Sequence, residues 1–179
     1  MPIYALGDQV PDIHPDAYVH PDAVVIGSVT IGARSSIWPT AVLRGDDGEI
    51  FVGEDTSVQD GSILHTTPMW ATRLGNHVTV GHNAHLEACT VADKALVGSG
   101  SIVLHNAQIG REAIVGAGAF VGNGKVVPPL ALALGVPAKI TEDAVEPGHF
   151  DFGVLSYVHR AERYKQELRR LPDHDGPDT

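Results

Sequence analysis

Cysteine is nearly absent from this 179-residue chain: Cys89 is the only one. A single thiol closes no disulfide within the chain, which predicts a reducing, cytoplasmic setting. Aromatic residues are scarce, at 6% against 43% hydrophobic residues overall, so the core has to be aliphatic. Basic residues are outnumbered, with 12 Lys and Arg facing 22 Asp and Glu, a formal charge of −10. Such a surface repels phosphate backbones and anionic lipid, which argues against a nucleic-acid or membrane role. No apolar run approaches the roughly 20 residues that span a bilayer. The opening MPIYALGDQV has neither a basic n-region nor an apolar h-region, so no signal peptide is expected. The length predicts one domain with a short appendage.

What the chain has in abundance is a repeat. Aliphatic residues recur every six positions at Val91, Val97, Val103, Ile109, Val115, Val121 and Val127. The hexads VGSGSI, IGREAI, VGAGAF and VGNGKV pair an aliphatic residue with glycine, and IGSVT, IGARSS, VGEDTS, LGNHVT and VGHNAH are looser versions. The unit is too short for a helix pair, and its sustained register sets it against a β-sandwich of short strands. The period predicts an all-β solenoid, a parallel β-helix with one short strand per hexad. The aliphatic residue points inward and a glycine or small polar residue turns each corner, as at Gly98, Gly116 and Gly122. Three hexads make a coil, so residues about 18 apart stack at about 4.8 Å.

The register runs from near Asp16 to near Val127, and PPLALALGVPA reads as the exit from it. Residues 1–140 are expected to hold the β-helix and its N-terminal lead-in. Residues 141–179 are expected to hold the rest of the exit loop, an amphipathic helix and a disordered tail, DHDGPDT. The helix is predicted over Val154 to Leu171, with Val154, Leu155, Val158, Ala161, Tyr164, Leu168 and Leu171 at helical spacing. Arg169 and Arg170 would close its last turn and Pro172 would stop it.

The stretch VTVGHNAHLEAC, residues 78–89, puts His82, His85 and Glu87 within six positions. Imidazole and carboxylate both suit a divalent metal. The same residues would equally serve as polar groups on an outward strand face. Cys89 is expected to be packed behind them, since thiols are among the most buried side chains. His14, His20, His77, His105, His149, His159 and His174 show no ligand spacing and are read as surface.

Four segments add to the hexads: LRGD at 43–46, VQDGSILH at 58–65, VGH at 80–82 and ALGVPAK at 133–139. Together, over about Ala17 to Lys139, they resemble the gamma-class carbonic anhydrases and their hexapeptide-repeat relatives. The resemblance implies a left-handed β-helix and a homotrimer with a divalent metal at each subunit interface. Zinc is the first choice, and iron or cobalt also accept these ligands. It implies three histidine ligands, two of which fall on His65 and His82. The third falls by register on Glu87, where this chain departs from the pattern, and His85 is the alternative. Arg44 and Asp46 are implied as an interfacial salt bridge beside the metal, Gln59 as a hydrogen-bond partner of the metal's water, and Asp60 as an interface residue. A tyrosine usual before the closing LG is replaced in Leu132-Ala133-Leu134, and HTTPMWATRLG after Leu64 has no carboxylate to shuttle protons.

The implied activity is reversible hydration of carbon dioxide, because a metal with three protein ligands can bring water to a pKa of about 7. A carboxylate in place of an imidazole would raise that value. Two alternatives stand beside it: a coenzyme A-dependent acyltransferase or thioesterase, with His85 as its catalytic candidate, and a non-catalytic trimer with a degenerate metal site. Metal content separates the first reading from the last, and coenzyme A binding tests the other.

Overall fold

The computed structural model describes residues 2–172; the tail DHDGPDT, and His174 with it, lies outside the described residues. The chain winds into a left-handed parallel β-solenoid of about seven coils with one helix at its C-terminal end. The hexads dictate this winding. Two-residue strands such as Leu96–Val97, Ile102–Val103 and Gln108–Ile109 each pair in parallel with the strand one coil on, at Ile114, Phe120 and Val126. Between them the backbone takes positive φ at every sixth position: Lys94, Gly100, Asn106, Glu112, Gly118, Gly124 and Leu130. In the VGSG hexad the two glycines divide the corner: Gly100 adopts φ +67°, while Gly98 allows close approach, since a Cβ there would lie 2.6 Å from the Ala117 nitrogen.

Alternation along the strands sorts side chains into columns. Val25, Leu43, Leu64, Leu86, Val103 and Val121 stack in successive coils, and all six are buried in the core. The residues before them face outward and form an apolar ladder broken by one imidazole: Val42, Ile63, His85, Ile102 and Phe120. The residues after them also face outward, and here the column is polar: Arg44, His65 and Glu87.

Two insertions break the regular coil step beside that polar column. Gly27 pairs with Gly45 and Val29 pairs with Ile50, so the partner strand advances five positions while the first advances two, and three extra residues enter within 46–49. Between the partners His65–Glu87 and Arg73–Thr90 the first chain spans eight residues and the second three, so five more enter the 66–71 loop. The RGDDGE segment and this loop therefore project at the same corner.

Several expectations are corrected. Parallel pairing begins before Asp16, because Ile3–Tyr4 and Asp12–Ile13 pair with strand Val24–Ile31. The PPLALALGVPA segment does not simply exit: Leu132–Leu134 pairs with Ile114–Val115 and is capped by antiparallel Lys139–Thr141. The helix spans Asp151–Glu167, not Val154 to Leu171. Leu168 is already extended, with ψ 124°, so Arg169 and Arg170 lie beyond the helix and Pro172 does not end it. The helix buries Val154 and Ala161, sets Tyr157 and Tyr164 against Trp38, with Tyr164 also on Tyr18, and is tied to the solenoid by Lys94–Asp151 and by Lys165 on the Asp16 carbonyl. Leu155, Leu168 and Leu171 stay exposed. His20, expected at the surface, is buried. Among the described residues, no helix is long and apolar enough to cross a membrane.

Candidate metal centre

The polar column carries the chemistry. Leu64 and Leu86 are fully buried, so each fixes its outward successor, His65 or Glu87, in adjacent coils. His65 is largely enclosed, with 16% of its side chain exposed, and both ring nitrogens face carboxylates. Nδ1 lies 3.0 Å from Glu87 Oε1 and Nε2 lies 3.1 Å from Asp46 Oδ1. Arg44 grips the other Asp46 oxygen through a short ion pair. Asp46, Asp47 and His65 offer one ligand atom each within 4.8 Å of one another, a set that no other three described His, Cys, Asp or Glu residues match.

Glu87 sits among three imidazoles. Besides His65, its Oε2 lies 3.3 Å from His85 Nε2 and its Oε1 lies 3.5 Å from His105 Nε2. His105 Nε2 is buried and makes no hydrogen bond. Reading His105 as surface missed this. Spacing gave only a partial signal: position 105 follows position 87 by three hexads, but the pairing of Leu86 with Val103 sets Leu104 opposite Glu87, and His105 reaches the carboxylate from the next position.

The remaining candidates lie elsewhere in the chain. His82 is exposed and its Nδ1 lies 2.9 Å from Asp60 Oδ2; neither joins the His65 group. Gln59 is buried beside Asp60. Cys89 is in the core behind Glu87, and burial pushes its thiol up to about 12, so it is inert at neutral pH.

Burial opposes ionisation of Glu87, but hydrogen bonds from His65 and His85 and the charge of His105 outweigh it and hold the carboxyl below its ordinary value. Asp46 behaves alike: burial raises it, and the Arg44 and His65 hydrogen bonds bring it below the usual range. A carboxyl lowered in the folded state stabilises the fold above its unfolded pKa, and that stabilisation is lost as pH falls through the folded value. In metal-stripped protein the stability that these two carboxylates supply is therefore expected to be intact above the ordinary carboxyl range and to be lost as the pH falls below about 4, read as a falling melting temperature. The drop should be shallower in Glu87→Gln. Equal acid sensitivity in the two proteins would show that Glu87 does not contribute.

Comparison with known proteins adds context to this geometry. The sequence profile of the bacterial transferase hexapeptide family (six repeats) matches residues 11–45 and 88–123. Carnitine operon protein CaiE of Proteus sp. (strain LE138) is 40% identical over 143 residues, covering 80% of this chain and 73% of that protein. The mitochondrial gamma carbonic anhydrase 1 of Arabidopsis thaliana is 34% identical over 171 residues, covering 88% of this chain and 62% of that one. Among solved structures, a Bacillus cereus protein designated a candidate acetyltransferase superposes with TM-score 0.88 at 37% identity, covering 91% of this chain and 96% of that one.

Proposed function

We propose that this chain, which belongs to the hexapeptide-repeat family that takes in bacterial transferases and gamma-class carbonic anhydrases, is a metal-dependent enzyme that hydrates carbon dioxide reversibly. One observation carries the reading: His65 is held at Nδ1 by a carboxylate and presents Nε2 to the Asp46–Asp47 corner. His82 repeats the arrangement, with Nδ1 on Asp60 and its other side in solvent. Carboxylates behind imidazoles are how metal-ligating histidines are oriented.

The donor set fits a divalent cation, since imidazole and carboxylate together suit zinc, iron and cobalt. His65 and the Asp46–Asp47 carboxylates would hold it on this chain, with His82 reaching in from a neighbouring copy. Once bound, the cation would act as a Lewis acid that makes water nucleophilic near neutral pH. The chain's own groups do the rest. Arg44 fixes the Asp46 carboxylate, Glu87 keeps the proton of His65 on Nδ1, and buried Gln59 is the candidate to orient water. Metal analysis of the purified protein and an indicator assay of carbon dioxide hydration test the reading. Protein that carries no divalent metal, or is equally active after chelation, overturns it.

An interfacial site needs an assembly, and the apolar ladder supplies a surface for one. Ile63 and Ile102 are 43% and 39% exposed on either side of His85 in a single chain. Burying this ladder in a closed homotrimer would mask it and bring a second chain's His82 to the site. Ile102→Arg is expected to give a monomer of about the 18.9 kDa chain mass by light scattering and to lose metal with assembly. A monomer with full metal content would show that one chain builds the site alone.

Acyl transfer from coenzyme A is a second reading, favoured by the resemblance to the Bacillus cereus protein and by the His85–Glu87 pair, a base with its orienting carboxylate. Calorimetric titration with coenzyme A decides for or against it.

A further inference from the structure

We propose that Glu87, despite standing at the third ligand position by register, is the positioning carboxylate of His65 and not itself a ligand, and that His85 and His105 hold it in that role. The inference rests on the metal reading above. Three features of the geometry carry it.

The first is which ring nitrogen Glu87 meets. Its Oε1 faces Nδ1 at 3.0 Å, while the candidate ligand atom Nε2 faces the opposite way, toward Asp46 at 3.1 Å. An imidazole that donates Nδ1–H to a carboxylate is fixed in the tautomer whose Nε2 lone pair is free for a metal. A group on the Nδ1 side cannot approach the same ion without turning the ring.

The second is the parallel with His82. There Asp60 Oδ2 lies 2.9 Å from Nδ1, the same nitrogen. The chain thus carries two imidazole–carboxylate pairs of one kind, His65 with Glu87 and His82 with Asp60. In both the carboxylate lies 22 residues from its histidine, on an adjacent coil. Asp60 and Glu87 do the same task in reversed chain order.

The third is that both Glu87 oxygens already have imidazole neighbours. A carboxylate has two oxygens and about four lone-pair positions. Oε1 is shared between His65 and His105, and Oε2 faces His85. The buried Nε2 of His105 makes no hydrogen bond in the chain, and Glu87 Oε1 is the acceptor next to it. Pulling Glu87 away to ligate a metal would leave His65 and His85 without their acceptor and take the neighbouring carboxylate from His105. The cluster holds the carboxylate where His65 needs it.

The test uses Co(II), whose visible absorption reports its ligand set, on the full chain and its variants. Glu87→Ala removes the acceptor and is expected to weaken Co(II) binding by about 10- to 100-fold. Glu87→Gln keeps a side-chain oxygen that accepts the Nδ1 proton and is expected to recover most of that loss, with a wild-type Co(II) spectrum. His105→Ala is expected to weaken binding in the parent protein and to have no further effect in Glu87→Ala, because it acts only through Glu87. Circular dichroism and melting confirm that each variant is folded; if Glu87→Ala is not, the Gln spectrum and the His105→Ala affinity decide. A Glu87→Gln protein as weak as Glu87→Ala, with a changed spectrum, makes Glu87 a ligand and overturns the proposal. Wild-type affinity in His65→Ala is a different failure, which brings down the metal reading itself.

Discussion

Replacing His65 with alanine is expected to strip the protein of its divalent metal, weakening binding more than about 100-fold, and to abolish carbon dioxide hydration with it. The size of the effect follows from where the ring stands. It is the one histidine among the described residues in a three-member group of potential ligands. It is also the hub of the polar column, with Glu87 on one nitrogen and Asp46, itself gripped by Arg44, on the other. Removing a neighbour of His65 weakens the orientation of a ligand; removing His65 deletes the ligand and leaves two carboxylates facing a gap. The fold should survive, because the side chain points outward and its inward neighbour Leu64 is untouched. Elemental analysis after dialysis, beside a melting curve, checks both halves of this expectation. His149→Ala, an exposed residue outside the column, is the control and should keep its metal. Full occupancy in His65→Ala would remove His65 from the site.

The difference between what the sequence revealed and what it hid lies in the kind of regularity involved. A hexad period is a property of the chain, and it translates directly into inward columns such as Leu64–Leu86–Val103 and into parallel partners one coil apart. The same logic could have placed His65 and Glu87 on one outward column, since both follow a buried leucine, but that pairing emerged only in the structure. The helix boundaries were less legible. Apolar residues at helical spacing continue through Leu171, but only Val154 and Ala161 find a core to enter, and the chain leaves the helix once Tyr164 has passed Trp38 and Tyr18. Spacing shows which residues could share a face, not whether a surface awaits them.

The site was only partly legible. Of the residues named by LRGD, VQDGSILH and GHNAHLE, the fold brings Arg44, Asp46, His65, His85 and Glu87 into one chain of contacts, while His82 lies apart on Asp60. Linear order nevertheless treats Glu87 as one more ligand after His82. In three dimensions the insertions at 46–49 and 66–71 lengthen the coil step, and Glu87 comes to lie behind His65 with His105 one coil further on. His105 stands outside every motif in the chain, so only the coil arithmetic could have reached it. Its ring joins the cluster through Nε2, 3.5 Å from Glu87 Oε1 across adjacent coils, a relation that motif spacing does not encode.

Leu86→Ala is expected to lower the stability of the metal-free chain by about 2–5 kcal/mol. Leu86 is completely buried, between Leu64 in the coil before and Val103 in the coil after. Truncation removes its transfer free energy and leaves a cavity that two stacked strands cannot easily close, because each is held at the inter-strand spacing by its own ladder. A solenoid transmits stability only through contacts between neighbouring coils, so weakening one interface weakens the link between the halves on either side. The functional consequence follows from alternation. His85 and Glu87 flank Leu86 on the outward side, and both lose the anchor that fixes their height in the column. Urea unfolding should therefore show a lower midpoint, and Co(II) binding to the still-folded protein should weaken as Glu87 shifts from His65. His85→Ala, an outward truncation one residue away, should cost under about 1 kcal/mol, as is usual for changes outside the core. If the two variants unfold at the same urea concentration, the inward column is not what holds these coils together, and the placement of the site by Leu64 and Leu86 is wrong.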